Sequence, residues 1–333
     1  MIISRTPFRI SFFGGGTDFP EWFEGNNGAV VSTTFNKYGY IFCQPTSDYL
    51  DYRYRIAYRL TEIVSDIDSI QHPAVKAALR YLKIQFGVEL DYHGDLMARS
   101  GIGSSSAFCV GLLDTLYQLT GRKQSRARLA QEAVYLERDV LGEVVGFQDQ
   151  YICALGGLNL LHFSAGSTVS ITPISIPSER VDEIDRRLVL VYSGVQRDSS
   201  EVSKPLLSNM AKNEKLFCSN YEMALRAGEI LRSNSDLDEF GEMFRQAWSL
   251  KAQMNDKAVT DELNEIYELG IEKGALGGKV LGAGGGGFMM FWIKSDDRER
   301  FVSEMKGVTV IPIRIESSGT TTVFSDVDNS VGG

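Results

Sequence analysis

Glycine occurs in clusters in this chain, and the clusters constrain the fold more than any other feature of the sequence. The 333 residues include 33 glycines, about a tenth of the chain against an average of roughly 7%. The densest runs are Gly14–Gly16, Gly101–Gly103 and Gly282–Gly287. Glycine tolerates positive φ and lets a backbone approach a ligand or another backbone closely. The sequence therefore predicts several tight loops whose backbone is in direct contact with a partner.

The length of the chain favours two domains, because a single hydrophobic core rarely extends beyond about 250 to 300 residues. Hydrophobic residues make up 43% of the chain and charged residues 23%, as in ordinary globular proteins. The formal net charge is -9, so no general basic field would attract nucleic acid or an anionic membrane. We expect neither partner, and we place the boundary between the domains near residues 175–187.

The cysteines are far apart and form neither a CxxC pair nor a cluster with the three histidines; they are Cys43, Cys109, Cys153 and Cys218. This pattern predicts reduced thiols, a cytoplasmic location and no structural zinc. No apolar run approaches the ~20 residues of a membrane span, and the N-terminus does not resemble a signal peptide.

Hydrophobic periodicity predicts mixed helix and strand content. We expect strands at 7–13, 29–35, 38–44, 52–56, 158–163, 169–173, 187–192, 288–293 and 308–315. We expect helices at 72–86, 108–119, 125–141, 150–154, 212–232, 237–254, 261–273 and 298–306. The first strand leads into Gly14–Asp18, and the run Gly101–Ala107 opens a helix.

The run Gly101–Ala107 has the composition of a phosphate-binding loop. A glycine-rich turn at a helix N-terminus presents free N–H groups at the positive end of the helix dipole. The alternative is that Ser104 simply caps the helix. The chain has no Walker GxxxxGK[ST] string, and Gly282–Gly287 fits GxGxxG but precedes a strand. That context argues against a nicotinamide enzyme.

Three carboxylates lie beside the glycine turns: Asp18, Glu137 and Asp149. Phosphoryl transfer needs groups that hold a divalent ion and that orient or deprotonate the attacking hydroxyl, and carboxylates serve both purposes. With 43 acidic residues in the chain, an arbitrary carboxylate is more often a solvated surface charge. Asp149 differs because Phe147 and Tyr151 flank it, which favours burial.

These loops and carboxylates, in this order, resemble the GHMP kinase superfamily of small-molecule kinases. The three motifs are Pro7–Asp18, Gly101–Ala107 and Lys279–Gly287, and the resemblance covers residues 5 to about 320. It implies a two-domain α+β fold, with a ribosomal protein S5 domain 2-like N-terminal domain and a ferredoxin-like C-terminal domain. The implied bounds are 1–180 and 181–325, with a tail at 326–333.

The resemblance also implies roles for single residues. The ATP phosphates would lie against the second motif, at Gly101, Ile102, Gly103, Ser104, Ser105 and Ser106. Ser105 and Glu137 match the ligands of Mg²⁺, Asp149 matches the catalytic aspartate, and Arg9 matches its basic partner. The sugar would contact Gly15, Gly16, Thr17, Asp18, Gly284, Gly285 and Gly286. Ile102 and Ser106 replace the leucine and alanine common in the family.

Within the superfamily, Arg5–Pro20 and Tyr192–Val202 are similar to the D-glycero-D-manno-heptose 7-phosphate kinases. That likeness implies transfer of phosphate from ATP to the anomeric C1 hydroxyl of a sugar phosphate, on a route to surface polysaccharide. Arg197, Lys204 and Lys37 are candidates to bind the phosphate of the acceptor. Alternatives are a fucokinase-like or galactokinase-like kinase of an unphosphorylated sugar, or a regulatory paralogue without turnover. The oligomeric state stays open, a homodimer included.

Overall fold

The computed structural model describes residues 1–196 and 199–326. Its strands are β1 (Ile2–Phe13), β2 (Gly28–Pro45), β3 (Tyr54–Ala57), β4 (Thr61–Val64), β5 (Val88–Gly94), β6 (Asn159–Ser164), β7 (Thr168–Pro173), β8 (Leu188–Tyr192), β9 (Gly277–Val280), β10 (Phe288–Trp292), β11 (Thr309–Ile311), β12 (Ile315–Glu316) and β13 (Thr321–Ser325). Most predicted strands are present, but the two expected at 29–35 and 38–44 form one long strand, β2.

The helices are α1 (Pro20–Phe23), α2 (Pro73–Tyr81), α3 (Ser104–Leu119), α4 (Arg126–Tyr135), α5 (Gln148–Leu155), α6 (Ser178–Arg187), α7 (Ser199–Ser208), α8 (Glu214–Arg232), α9 (Leu237–Met254), α10 (Asp261–Glu272) and α11 (Arg298–Glu304). Ser125 caps α4, since its hydroxyl accepts from the N–H of Arg128. A π-helical turn at Leu136–Val140 follows α4.

The first sheet has nine strands, and β1 and β2 form its long central pair. The path β13-β1-β2-β5-β3-β4 is extended by β6, β7 and β12, which join through β2. Helices α2 to α5 bury their apolar stripes together over this sheet, with Leu79, Leu112, Leu116, Ala133 and Ile152 in one cluster. This packing fixes the start of α3 and the start of α5 relative to β1.

The second sheet is antiparallel, in the order β11-β8-β10-β9, and helices cover both of its faces. Alternation along β10 decides which helix each side chain meets. Phe288, Met290 and Trp292 join the cluster that contains residues of α8 and α9. Met289 and Phe291 join the cluster that contains residues of α10 and α11. A strand buried on both faces explains its continuous apolar sequence.

The two sheets share one aromatic core across their junction. Phe12 of β1 packs edge-on against Phe240 of α9 at 5.5 Å between ring centroids, and Phe13 stacks on Phe244 at 4.5 Å. Such pairs are each worth about 0.5–1.5 kcal/mol beyond their burial. Because β1 belongs to the first sheet and α9 to the second, the junction between them is a packed interface.

The chain returns to the first sheet at its end, which the sequence did not indicate. Strand β12 pairs with β2, and β13 pairs with β1 so that Ile2 lies opposite Ser325. The division into 1–180 and 181–325 stays a prediction. Of the predicted tail 326–333, only Asp326 is within the described residues, and its N–H donates to Met1 O.

The cysteines are unpaired, and three of the four are buried. Within the described ranges, no helix has the length and apolarity that a membrane crossing requires.

Candidate active site

The loop that precedes α3 has the backbone shape that its glycines predict. Gly101 and Gly103 have φ of +80° and +70°, values in which side chains are strained. A Cβ on Gly103 would lie 2.9 Å from Cγ of Arg9 and 3.3 Å from a carboxylate oxygen of Asp149. Between these glycines, Ile102 is fully buried and its carbonyl accepts from the N–H of Arg9 at 3.0 Å. Glycine at 103 therefore leaves room for the side chains of Arg9 and Asp149.

No side chain among the described residues caps the N-terminus of α3. Gly103 is the capping residue, so Ser104 is the first helical residue rather than the cap. The hydroxyls of Ser105 and Ser106 donate to Glu137 instead of accepting from the first turn. The N–H groups at the positive end of a 16-residue helix are thus available to an anion. This geometry favours the phosphate-binding interpretation of the loop over simple capping.

Glu137 is fully buried beneath this loop, on the turn that follows α4. Its carboxylate accepts from Ser105 Oγ at 2.6 Å, Ser106 Oγ at 2.8 Å and Gln150 Nε2 at 2.5 Å. Burial raises the pKa of Glu137 to about 7, although the three hydrogen bonds act in the opposite direction. A cation beside this carboxylate would favour its charged form.

The donor set at Ser105 and Glu137 fits Mg²⁺. Hydroxyl and carboxylate oxygens are the ligands that this hard cation prefers, and here they lie 2.6 Å apart. Within the described ranges, no group of three or more His, Cys, Asp or Glu side chains could hold a metal by itself. An ion at Ser105 and Glu137 would therefore complete its shell with water and substrate phosphates, as is usual for Mg²⁺.

Arg9 and Asp149 form a bidentate ion pair between β1 and α5. Arg9 Nε and Nη2 each lie 2.6 Å from one oxygen of Asp149, and Nη1 donates to Gly101 O at 2.5 Å. Burial alone would lower the pKa of Arg9, but the charge and hydrogen bonds of Asp149 outweigh it and raise that pKa. The Asp149 side chain stays 22% exposed against 5% for Arg9. The carboxylate is thus held rigidly while one side of it remains open to a substrate.

Asp18 links the first glycine loop to the turn before α5. Its carboxylate accepts from the N–H groups of Gly16 at 2.9 Å and Gln148 at 3.3 Å, and the residue is 1% exposed. Burial, followed by the charge of Asp149, raises the pKa of Asp18. In this arrangement Asp18 positions the backbone next to Asp149. Its predicted contact with sugar hydroxyls stays a prediction.

The first glycine loop is also anchored to the second sheet's helices. Asn220 of α8 accepts from Gly14 N at 3.2 Å and donates to Gly15 O at 2.7 Å. Thr17 turns inward, and its hydroxyl donates to Gly14 O at 2.8 Å. The predicted substrate-binding residues Gly15 and Gly16 therefore lie where the first sheet meets α8.

The third glycine loop lies against the second. A Cβ on Gly282 would be 2.7 Å from Gly101 Cα, and Phe288 N donates to Ser100 O at 3.0 Å. Farther along, Gly285 N donates to Ala258 O at 2.8 Å. A Cβ on Gly286 would lie 2.9 Å from Val195 O. The three glycine motifs, which are spread over more than 250 residues of sequence, thus border one cleft around Arg9 and Asp149.

Of the three basic residues predicted to bind the acceptor phosphate, the structure describes two, and it adds a further lysine. Arg197 lies outside the described residues. Lys204 is exposed on α7 and lines a cavity of about 550 Å³ together with Lys257, Glu201, Val202 and Pro205. Lys37 is half-buried on β2 and has no ion pair within the described ranges. Lys257 was not expected, because a lysine in a polar loop carries no distinguishing sequence signal.

Several buried polar atoms at the cleft have no hydrogen-bond partner among the described residues, and sequence reasoning missed them. They are Ser11 Oγ, Gln148 Oε1 and Gln150 Oε1. A Cβ on Gly15 would lie 3.6 Å from both Ser11 Oγ and Gln148 Nε2, so two of these residues border the first loop. Buried polar groups normally have partners, so these atoms are suited to contact a bound ligand. The available sequence signal was that Gln148 and Gln150 flank Asp149.

Two family models match the chain, and the second and third glycine motifs lie one in each matched range. The model for the GHMP kinases N-terminal domain matches residues 71–157, and the model for the GHMP kinases C-terminal matches residues 224–308. Together they account for just over half of the chain. This chain belongs to the GHMP kinase family. It is therefore a phosphotransferase that uses ATP, and the nicotinamide alternative is set aside.

Curated GHMP kinases resemble the chain over most of its length. A D-glycero-alpha-D-manno-heptose 7-phosphate kinase of Campylobacter jejuni is 26% identical, over 92% of this chain and 93% of that protein. The bifunctional fucokinase/GDP-fucose pyrophosphorylase of Arabidopsis thaliana is 23% identical over 88% of this chain, but only 30% of that protein is covered. The crystal structure of a D-glycero-D-manno-heptose 1-phosphate kinase from Bacteroides thetaiotaomicron superposes with a TM-score of 0.81. It is 21% identical, with 98% of this chain and 100% of that chain covered. The predicted two-domain α+β fold is confirmed.

Proposed function

We propose that this GHMP kinase transfers the γ-phosphoryl group of ATP to the anomeric C1 hydroxyl of D-glycero-D-manno-heptose 7-phosphate. The product would be the 1,7-bisphosphate, a precursor of nucleotide-activated heptose for surface polysaccharide. The observation that carries the reaction type is the Arg9–Asp149 pair held against an uncapped helix N-terminus. The likeness to the Campylobacter jejuni kinase over nine-tenths of both chains supports the acceptor.

Each residue of the cleft has a separate role in the proposed phosphoryl transfer. The N–H groups at the start of α3 bind the ATP phosphates. Ser105 and Glu137 would hold Mg²⁺, whose chemistry there would be to neutralise charge on the phosphates. Asp149 orients the sugar hydroxyl and accepts its proton, while a new bond forms between the sugar oxygen and the γ-phosphorus and the bond to ADP breaks. Arg9 fixes the direction of the Asp149 carboxylate through two hydrogen bonds. Arg9 is not itself the proton acceptor, since a guanidinium cannot accept a proton at neutral pH.

The cavity beside Lys204 and Lys257 supports an acceptor that already carries a phosphate. The Lys257 segment adjoins the third glycine loop, because the next residue, Ala258, accepts from Gly285 N. Asn255 ties the same segment to α7 by donating to Val202 O at 2.6 Å. Two lysines against Glu201 leave the cavity with excess positive charge. A phosphate there and a hydroxyl at Asp149 would bind the two ends of one sugar.

An ATP-consumption assay with a panel of acceptors tests this proposal. The panel contains heptose 7-phosphate, heptose 1-phosphate, fucose and galactose, and ³¹P NMR identifies the phosphorylated position. We expect heptose 7-phosphate to be turned over fastest, with phosphate added at C1. Replacing both cavity lysines (Lys204→Met, Lys257→Met) should raise the KM for this acceptor at least tenfold and leave the KM for ATP unchanged. Lys215→Met, at an exposed position on α8, is the matched control.

A kinase of an unphosphorylated sugar is the second candidate, and the likeness to the plant fucokinase favours it. Faster turnover of fucose, with no effect of the double lysine change, would replace the heptose proposal by this one. We also infer that the protein acts in the cytoplasm, where ATP is available and unpaired cysteines persist. The three buried free thiols are consistent with that location.

A further inference from the structure

A lysine of α9 enters the cleft from the side of the second sheet. Lys251 is half-buried, and its Nζ donates to Gly282 O at 2.6 Å. It forms no ion pair with any carboxylate in the described ranges. The remaining hydrogens of this ammonium group are therefore available to a ligand.

Its hydrogen-bond partner places Lys251 beside the phosphate loop. Gly282 packs on Gly101 so closely that a Cβ on Gly282 would lie 2.7 Å from Gly101 Cα. Gly101 in turn accepts from Arg9 at 2.5 Å. Lys251, Gly101 and Arg9 thus surround the point where the loop for the ATP phosphates meets the catalytic pair.

The charged groups around this point are unbalanced. Lys279 of β9 is buried and donates only to backbone, to Phe12 O at 2.9 Å and Ser11 O at 3.3 Å. Arg9 is already paired with Asp149. Burial, followed by the charge of Arg9, lowers the pKa of Lys251 to about 8. Burial, then Lys251 and Arg9, hold the pKa of Lys279 well below its usual value. Asp149 and Asp18 both act on Arg9, whereas burial and neighbouring cations shift the pKa values of Lys251 and Lys279. These two ammonium groups leave an excess of positive charge that an anion would compensate.

We propose that Lys251 binds the phosphoryl group in transfer, neutralising its charge from the side of the second sheet. This inference rests on the proposed kinase activity. Lys251 moves no proton and forms no covalent bond; its ammonium leaves Gly282 O for a phosphate oxygen. The developing charge on the transferring group makes such a contact stronger in the transition state than in bound ATP.

Two variants test the role, with Lys215→Met as the control. Lys251→Met removes the charge with little change in side-chain length, and Lys251→Arg keeps a charge that does not titrate below pH 12. We expect Lys251→Met to lower kcat about 100-fold, the usual effect of losing one such donor, and Lys251→Arg to retain at least a tenth of wild-type kcat. Fluorescent ATP and ADP analogues should show at least tenfold weaker ATP binding in Lys251→Met and less than twofold weaker ADP binding. Thermal melts of all variants check that they fold.

The pH dependence of kcat/KM for ATP distinguishes a direct role of Lys251 from a purely structural one. Since Lys251 loses its proton near pH 8 in the free enzyme, kcat/KM for ATP should fall above that pH in the wild type. In Lys251→Arg this alkaline limb should shift beyond pH 9.5. Equal loss of ATP and ADP affinity, a kcat within threefold of wild type in Lys251→Met, or an unmoved alkaline limb would each overturn the inference. Absence of sugar phosphorylation by the wild type would instead overturn the proposed function, and the nucleotide titrations would still test Lys251.

Discussion

Replacing Glu137 by glutamine should make the metal-free protein more stable at alkaline pH while removing its response to Mg²⁺. The substitution keeps the buried hydrogen bonds, because a glutamine carbonyl can accept from Ser106 and Gln150 while its amide donates to the Ser105 hydroxyl. Hydroxyls donate and accept, so Ser105 can reverse its role. The change therefore removes one buried charge and little else.

The magnitude follows from the pKa of Glu137, which is about 7 in the folded protein against an ordinary value of 4.5. In the unfolded chain the carboxyl is ionised above 4.5, so between these two values the folded state binds more protons. Stability contributed by this group is thus present below pH 4.5 and is lost as pH rises towards 7. At 1.36 kcal/mol per pKa unit, the loss is roughly 3 kcal/mol.

Urea unfolding at pH 5 and pH 8 measures this effect. At pH 8 we expect Glu137→Gln to exceed the wild type by about 3 kcal/mol in free energy of unfolding, and at pH 5 by less than about 1 kcal/mol. Adding 10 mM Mg²⁺ should stabilise only the wild type at pH 8. If this concentration is about fifty- to hundredfold above the dissociation constant of the site, the free energy of unfolding rises by ~2.5 kcal/mol. Glu222→Gln, at an exposed position on α8, is the control. If the stability difference between variant and wild type is the same at both pH values, a buried ionised Glu137 is refuted.

Two further predictions concern Arg9 and Asp149, the proposed catalytic pair. Asp149→Asn should lower kcat by about 10²–10⁴-fold in steady-state kinetics. Nucleotide titration should show an ATP affinity within threefold of wild type. A kcat above a tenth of wild type would exclude a proton acceptor at this position. Gly103→Ala should reduce kcat at least tenfold and lower the melting temperature, since its Cβ would lie 2.9 Å from Arg9 Cγ at a φ of +70°. Normal kinetics in Gly103→Ala would mean that the loop can relax without displacing Arg9.

The sequence indicates the loops of the site well because their signals are local. Glycine runs beside a predicted strand or helix located all three loops, and Gly101 and Gly103 adopt the positive φ that motivates glycine there. The contact between Arg9 and Asp149 spans 140 residues. Only the family resemblance predicted this pairing, since no periodicity links the two positions.

The features that the sequence does not predict depend on long-range packing. Lys251 lies within the helical pattern of α9 and is one of 34 basic residues, so nothing local separates it from a surface lysine. Strands β12 and β13 were also missed as partners of the first sheet. Their pairing with β2 and β1 joins residues about 280 to 320 positions apart, and no local signal encodes such a choice.

The glycine clusters have two separate physical causes, which are close contact between two backbones and room for neighbouring side chains. A Cβ on Gly101 would lie 2.5 Å from Leu281 O, and one on Gly287 would overlap the carbonyl of Ser100. These glycines allow two backbone segments, one from each sheet, to touch. Gly103 instead makes room for Arg9 and Asp149. Because the proposed phosphate-binding loop is packed against the loop that Lys251 contacts, a shift of the second sheet relative to the first would alter both sides of the cleft together.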